Sequence, residues 1–310
     1  MNPVSTPLII SVPDALARGF LGDIPSDVEL VDWDMSGPAP RQHIDIVIPP
    51  YLQSWECLAN LEGLDVGFVQ CLSLGYDGVA EFLPKNIVFA NAASVHETST
   101  AEMAMALILA SQRFIPDFVR AAEAGTWAPS WHPSLADRTV LLVGYGGVGR
   151  AIESRLLPFE TTVLRLARHE RTDERGRVYG RDSLHELLPM SDIVIVAVLL
   201  DESTHHLVDA EFLSLMPDSS LFVNISRGGV ADADALLAEA RSGRIRLALD
   251  VTDPEPLPDG HPLFALTNVL ISPHVAGMSS AALPRITRLV HQQIDRMRRG
   301  EEPMNVVLRT

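Results

Sequence analysis

Cysteine is scarce: Cys57 and Cys71 are the only two in 310 residues, with no C-x-x-C pair and no Cys/His spacing suited to a metal. That excludes a disulfide framework and a zinc site, and predicts two reduced, buried thiols. Lysine is scarcer still, with Lys85 alone, so nearly all positive charge is arginine and Schiff-base chemistry is disfavoured. No apolar run reaches the ~18 residues a membrane helix needs. The start, MNPVSTPLII, lacks a basic segment leading into an apolar core of signal-peptide length, so a cytoplasmic protein without a membrane partner is expected. Positive charge as a whole is in deficit, 24 Lys and Arg against 40 Asp and Glu, for a net charge of −16 and a pI near 4.9. Such a surface repels polyphosphate chains and anionic lipid, which excludes nucleic acid as a natural partner and favours solubility.

What is present is an ordinary folded composition, 47% hydrophobic and 21% charged, at a length sufficient for two domains. The most informative stretch is LLVGYGGVGR, Leu141–Arg150. An apolar run, Val140–Val143, stops at a glycine cluster, and an amphipathic stretch, Ala151–Leu157, follows: strand, tight turn, helix. Gly144, Gly146 and Gly149 have the G-x-G-x-x-G spacing. The first turns sharply, the second admits a pyrophosphate against the backbone, and the third lets helix pack on strand. With Tyr145, Gly147 and Val148 they form a candidate dinucleotide cradle at a helix N-terminus, where free N–H groups and the dipole favour anions.

Upstream, short apolar runs at Leu8–Val12, Val28–Asp32, Ile44–Ile48, Val66–Gln70 and Ile87–Ala90 predict buried parallel strands. Asp14–Leu21, Gln53–Leu61 and Val79–Leu83 suit short helices between them. The loop Cys71–Asp77 follows the fourth strand, where ligands of open α/β sheets gather, and its Gly75 can offer backbone N–H groups to a carboxylate. Thr98–Arg113 is apolar or small at nearly every position from Ala101 to Ala110, which predicts a helix buried on most sides, capped by Thr98, Ser99 or Thr100. A second amphipathic helix, Ile115–Ala124, leads into GTWAPSWHPSLADR, a linking loop.

Beyond the glycine motif, strands at Thr162–Ala167, Ile193–Val198, Leu221–Asn224, Leu247–Asp250 and Val269–Ser272 complete a six-strand, doubly wound dinucleotide fold, with helices at Asp182–Leu188, Ala210–Leu215 and Asp232–Arg241. At the second strand's end an acidic residue would bond the ribose 2′-hydroxyl of NAD. Here Ala167 and Arg168 stand in its place, with Arg171 close by. Two guanidinium groups suit a 2′-phosphate, so NADP is the expected cofactor, with NAD left open. Three polar residues then follow strand ends of this sheet: Arg227 in NISRGG, Glu255 in DVTDPEPL and His274 in ISPHVAG. Together they form a complete chemical set. Arg227 could bind a 2-oxo acid and polarise its carbonyl, His274 could move the proton, and Glu255 could hold the imidazole.

QCLSLGYDGV, TAEMAMALILA, GYGGVG, NISRGGVAD, LALDVTDPEPL and SPHVAG, in this order and spacing, resemble the D-isomer-specific 2-hydroxyacid dehydrogenases over nearly the whole chain. The resemblance implies an α/β protein of two doubly wound parallel-sheet domains. A Rossmann coenzyme domain, residues 99–280, would be inserted into a flavodoxin-like substrate domain, residues 1–98 plus 281–310, through crossing helices Thr98–Arg113 and Ala281–Arg299. It implies Arg227, Glu255 and His274 as the catalytic set, backbone N–H groups of Leu74 and Gly75 for the substrate carboxylate, Asp250 facing the nicotinamide carboxamide, Gly277 near the cofactor, and no metal. Short NADP-type relatives make glyoxylate or hydroxypyruvate the first expected substrates. The same fold and triad also serve in dinucleotide-binding corepressors, so a sensing or binding role is the alternative.

Departures from the pattern are Leu199, where the family usually has proline, and Glu160, where it commonly has glycine. Glutamate at 255 differs from the glutamine of related formate dehydrogenases, and no regulatory domain is expected after residue 310. The family usually dimerises through the coenzyme domain. By that resemblance a homodimer is expected in which the partner covers Trp131, while Trp127 packs on its own domain.

Overall fold

The computed structural model describes residues 7–51 and 54–310. The first six residues, and Gln53 at the head of the predicted helix Gln53–Leu61, lie outside the described residues. In chain order the elements begin β1 (Leu8–Val12), α1 (Ala15–Phe20), β2 (Val28–Asp32), β3 (His43–Val47), β4 (Asp65–Gln70), α2 (Val79–Phe82), β5 (Val88–Ala90), α3 (Glu97–Gln112) and α4 (Ile115–Glu123). They continue with β6 (Thr139–Val143), α5 (Gly147–Leu156), β7 (Thr162–Leu166), β8 (Arg171–Asp173), β9 (Gly176–Val178), α6 (Leu184–Leu187), β10 (Ile193–Val196) and α7 (Ala210–Leu215). The chain closes with β11 (Leu221–Asn224), α8 (Ala233–Ser242), β12 (Arg246–Leu249), β13 (Val269–Ile271), α9 (Ala282–Arg298) and β14 (Val306–Arg309).

The chain divides into two compact units, Met1–His96 with Ser279–Thr310, and Glu97–Met278. In the first, a six-stranded sheet has the order β14-β5-β4-β3-β1-β2 and is parallel except for β14, which runs against β5. Its Ile10, Val12 and Phe68 pack with Ile286, Leu289, Val290 and Ile294 of α9, whose spacing makes one apolar helix face. The opposite layer holds Trp33, Leu58, Val69 and Phe89.

The second unit contains a wholly parallel sheet of order β13-β12-β11-β10-β6-β7. Alternation sorts its side chains cleanly. Leu141, Val143, Val194, Val196, Phe222 and Leu249 face one layer, whereas Val140, Leu142, Ile193, Ile195, Val223 and Ala248 face the layer of α3 and α5. With both faces covered, most strand positions are apolar, which is why these strands read as near-continuous hydrophobic runs. No described helix is long and apolar enough to cross a membrane.

Several expectations need correction. Helix α3 begins at Glu97, so Thr98, Ser99 and Thr100 lie inside its first turn, with Ser99 and Thr100 buried, and do not cap it. Trp55–Leu61 is a 3-10 helix, and Cys57 on it is only partly buried, unlike Cys71; neither cysteine is in a disulfide. Trp127 does not pack on its own unit: it is 94% exposed, and Trp131 is fully exposed. The packing at this loop goes to His132 instead, whose ring stacks on Phe114 at 4.3 Å. Glu160 adopts a left-handed conformation, φ 61°, which accounts for glycine suiting this position.

The antiparallel β8–β9 hairpin escaped the sequence reading because charged residues dominate it. A buried arginine organises it. Arg165 on β7 donates to the Asp173 carboxylate at 3.0 Å and to the carbonyls of Arg175 at 2.7 Å and Arg177 at 3.0 Å. Beside it lies Glu153 of α5, also buried, which accepts from the Tyr145 hydroxyl and from Arg175 at 2.6 Å, with Arg165 at 3.7 Å. Removing one member of such a group leaves an uncompensated buried charge. Glu153→Ala should therefore cost about 3 kcal/mol in urea unfolding, and Glu153→Leu combined with Arg165→Met should cost less than the two single changes added together. A loss below about 1 kcal/mol for Glu153→Ala would contradict this reading of the cluster.

Candidate active site

Strand β6 ends in the glycine turn because no other residue fits there. Gly144 has φ 106°, and a Cβ on it would lie 2.3 Å from the Ala197 carbonyl oxygen on the adjoining strand's exit. Its N–H donates to Leu166 O at 2.9 Å, fixing the turn between β6 and β7. Gly146 then caps α5 in extended backbone with no side-chain cap bond, and open space surrounds the position its Cβ would take. Gly147, Val148 and Gly149 form the first turn, whose N–H groups lack intrahelical partners. A positively polarised helix end with open space beside Gly146 fits a pyrophosphate.

Tyr145 turns inward and is buried, its hydroxyl on Glu153 and its ring within 6 Å of three guanidinium carbons, those of Arg150 at 5.8 Å, Arg165 at 5.3 Å and Arg171 at 5.9 Å. Arg171 does not stand in a free basic loop. It starts β8 and donates to the Tyr145 carbonyl at 2.9 Å, so its part is to brace the glycine turn. Arg168, just past β7, is exposed and pairs with Asp201, a residue the sequence reading did not single out.

At the same carboxyl edge of the sheet, His274 follows β13. Its φ is 51°, an unfavourable conformation for a non-glycine residue that the surroundings must enforce. Asp250, at the end of β12 and 2% exposed, does so. Its carboxylate accepts from Ser272 Oγ at 2.5 Å and from the N–H groups of Val275 at 3.1 Å and Ala276 at 3.0 Å, while its carbonyl takes the His274 N–H at 2.7 Å. Successive N–H groups around a left-handed residue make a nest for an anion, and here the anion is internal. The Asp250 carboxylate, expected to face a nicotinamide carboxamide, is the anchor of the histidine loop. Gly277 lies in the next turn, closed by Met278 N–H on Val275 O at 2.9 Å.

The fixed imidazole presents Nδ1 to Glu255 Oε1 in a direct hydrogen bond. That leaves Nε2 as the ring atom able to exchange a proton with a ligand. Glu255 sits in the loop after β12, between cis Asp253–Pro254 and cis Glu255–Pro256 bonds. Arg227 follows β11, next to β12 in the sheet. Buried Asn224 shapes its loop, donating to Arg227 O at 2.9 Å and accepting from Ser226 N–H and Oγ at 3.0 and 2.8 Å. Gly228 lets this loop touch the one carrying Glu255, since a Cβ would fall 1.8 Å from Thr252 O. Asn224 was visible in sequence only as the polar end of an apolar strand.

In the other unit, Leu74 and Gly75 lie in the loop after β4. Their carbonyls are held by Asn91 Nδ2 at 2.8 Å and Ser73 Oγ at 3.0 Å, while neither N–H has a protein acceptor among the described residues. Two such groups suit a carboxylate. No group of His, Cys, Asp or Glu among the described residues could hold a metal ion.

Residues 105–276 match the family model for the NAD binding domain of D-isomer specific 2-hydroxyacid dehydrogenases. The chain is 31% identical over 307 residues to human glyoxylate reductase/hydroxypyruvate reductase, covering 93% of this chain and 91% of that one. Among solved structures, a D-isomer specific 2-hydroxyacid dehydrogenase from Xanthobacter autotrophicus in complex with NADPH and MES is similar at 26% identity and TM-score 0.81, over 98% of both chains. An NADPH-dependent glyoxylate/hydroxypyruvate reductase from Sinorhizobium meliloti in complex with NADP and malonate is similar at 27% identity and TM-score 0.80, over 98% of this chain and 97% of that one. With its glycine turn, its sheet edge and its relatives in agreement along most of its length, the chain belongs to the D-isomer specific 2-hydroxyacid dehydrogenase family.

Proposed function

We propose that this 2-hydroxyacid dehydrogenase reduces a small 2-oxo acid to the D-2-hydroxy acid with NADPH, glyoxylate and hydroxypyruvate being the substrates to try first. The observation that carries the reading is the His274–Glu255 pair, held by Asp250 on the same sheet edge as the glycine turn. Two of the relatives named above are reductases, which favours turnover over a role in binding alone.

A dinucleotide bound at the glycine turn would supply the hydride that reduces the carbonyl carbon. The Leu74 and Gly75 N–H groups are suited to a carboxylate. Arg227 neutralises the substrate carboxylate and polarises the oxo group, a contact that strengthens as negative charge grows on the oxygen. His274 Nε2 delivers the proton to that oxygen, and the Glu255 carboxylate on Nδ1 fixes the orientation of the ring. The side chain carried by the substrate is a matter for the loops around Leu74. That neither cysteine is in a disulfide accords with a cytoplasmic location.

We also assign a homodimer built on the second unit. Helix α4 has no buried residue, and Ile115, Val119, Trp127 and Trp131 are exposed, an apolar surface of the kind that a partner covers.

Three outcomes test these assignments. kcat/KM should favour NADPH over NADH by roughly tenfold, the worth of one charged hydrogen bond, and Arg168→Ala should erase most of the difference; equal values in the parent protein would refute the cofactor assignment. His274→Asn should lower kcat by roughly 10²–10⁴-fold, the worth of a positioned proton donor, and Glu255→Gln should lower it less, because the imidazole keeps a hydrogen-bond partner at Nδ1. An unchanged kcat in His274→Asn would place the proton on another residue. Sedimentation at micromolar concentration should give a dimer, and in a Trp127→Phe background the Trp131 emission should shift to the red on dilution through dissociation; a monomer at every concentration would remove the assignment.

A further inference from the structure

Arg168 is paired with Asp201, and the aspartate is fixed in place by something other than the arginine. Asp201 opens the turn after β10. Its Oδ1 accepts from Ser203 N–H at 2.8 Å and Ser203 Oγ at 2.6 Å, its N–H donates to Thr204 Oγ1 at 2.8 Å, and its carbonyl takes the N–H groups of Thr204 at 3.0 Å and His205 at 2.8 Å. Thr204 Oγ1 in turn donates to Leu199 O at 2.6 Å. The turn is thus closed on itself, and only Oδ2 is turned to Arg168, whose Nη2 also lies 3.3 Å from Ser203 Oγ. Hydrogen bonds from Ser203, then the Arg168 guanidinium, hold the Asp201 carboxyl at about 2, so the carboxylate is charged under any assay condition. Ser203, Thr204 and Arg168 are the polar groups that face it.

A 2′-phosphate that approached Arg168 would meet this carboxylate. The phosphate and Asp201 compete for one guanidinium, and because the turn keeps Asp201 where it is, the losing anion is not removed but stays within a few ångströms as a like charge. A ribose 2′-hydroxyl carries no charge and meets no such opposition. We propose that Asp201 is a specificity-determining residue, an internal competitor for Arg168 that weakens NADPH binding while leaving NADH binding unaffected and so holds the preference between the two dinucleotides below what Arg168 alone would set. The inference rests on the NADPH reading given above.

Asp201→Asn is the informative change, because the asparagine Oδ1 still accepts from Ser203 and keeps the turn, while Oδ2 is replaced by a neutral donor. Dissociation constants for NADPH and NADH, read from nicotinamide fluorescence on the protein without substrate, should show NADPH bound three- to tenfold more tightly in the variant and NADH unchanged within twofold. Arg168→Ala should weaken NADPH binding more in the Asp201→Asn background than in the parent, since its guanidinium is then free for the phosphate. Unchanged or weaker NADPH binding in Asp201→Asn, or an equal shift for both dinucleotides, would overturn the inference. If Arg168→Ala is silent in both backgrounds, the NADPH reading and this inference fall together; if it is effective and Asp201→Asn is silent, only this inference falls.

Discussion

All six strands of the second sheet run the same way, and that single constraint puts every functional loop of the unit at one edge. Parallel pairing requires each strand to be followed by a crossover, so the loops after β6, β7, β10, β11, β12 and β13 emerge side by side. The glycine turn, Arg168, Asp201, Arg227, Glu255 and His274 come from six different stretches of chain and share that edge because the sheet leaves them nowhere else to go. The apolar runs that build the strands therefore do more than make a core: their register decides which loop stands beside which.

Strand direction brings loops near each other but does not orient side chains. That is done by polar groups buried just beneath the edge. Asp250 grips the backbone of the histidine loop, Asn224 shapes the loop of Arg227, and Glu153 with Arg165 holds Tyr145 below the glycine turn. Each is an acceptor or cation taken out of water and repaid only by complete hydrogen bonding, which makes the geometry specific. His274 shows the consequence. Its left-handed backbone is unfavourable in isolation and persists because the Asp250 carboxylate and carbonyl hold the residues around it.

The comparison between the two arginines past β7 shows how charge alone misleads. In sequence, Arg168 and Arg171 look equivalent, two cations where a carboxylate would stand in an NAD site. In the fold, Arg171 belongs to a hairpin strand and braces the Tyr145 carbonyl, and Arg168 faces an aspartate 33 residues away. Likewise the two tryptophans of the linking loop are both exposed, because the ring that packs on Phe114 is that of His132.

The sequence by itself determined the strands and longer helices, since period and apolar runs are local properties and both sheets bury both faces. It also determined the glycine turn, whose spacing has a steric meaning, and the family motifs around Arg227, Glu255 and His274. The tertiary structure alone decided the rest. The β8–β9 hairpin has too few apolar residues to register as a strand pair and exists because Arg165 satisfies its carbonyls from below. The anchoring part of Asp250, the burial of Glu153 and the pairing of Asp201 with Arg168 are contacts between segments distant in the chain. No local pattern encodes them, because what selects a partner for a buried or fixed charge is the neighbour that folding delivers to it.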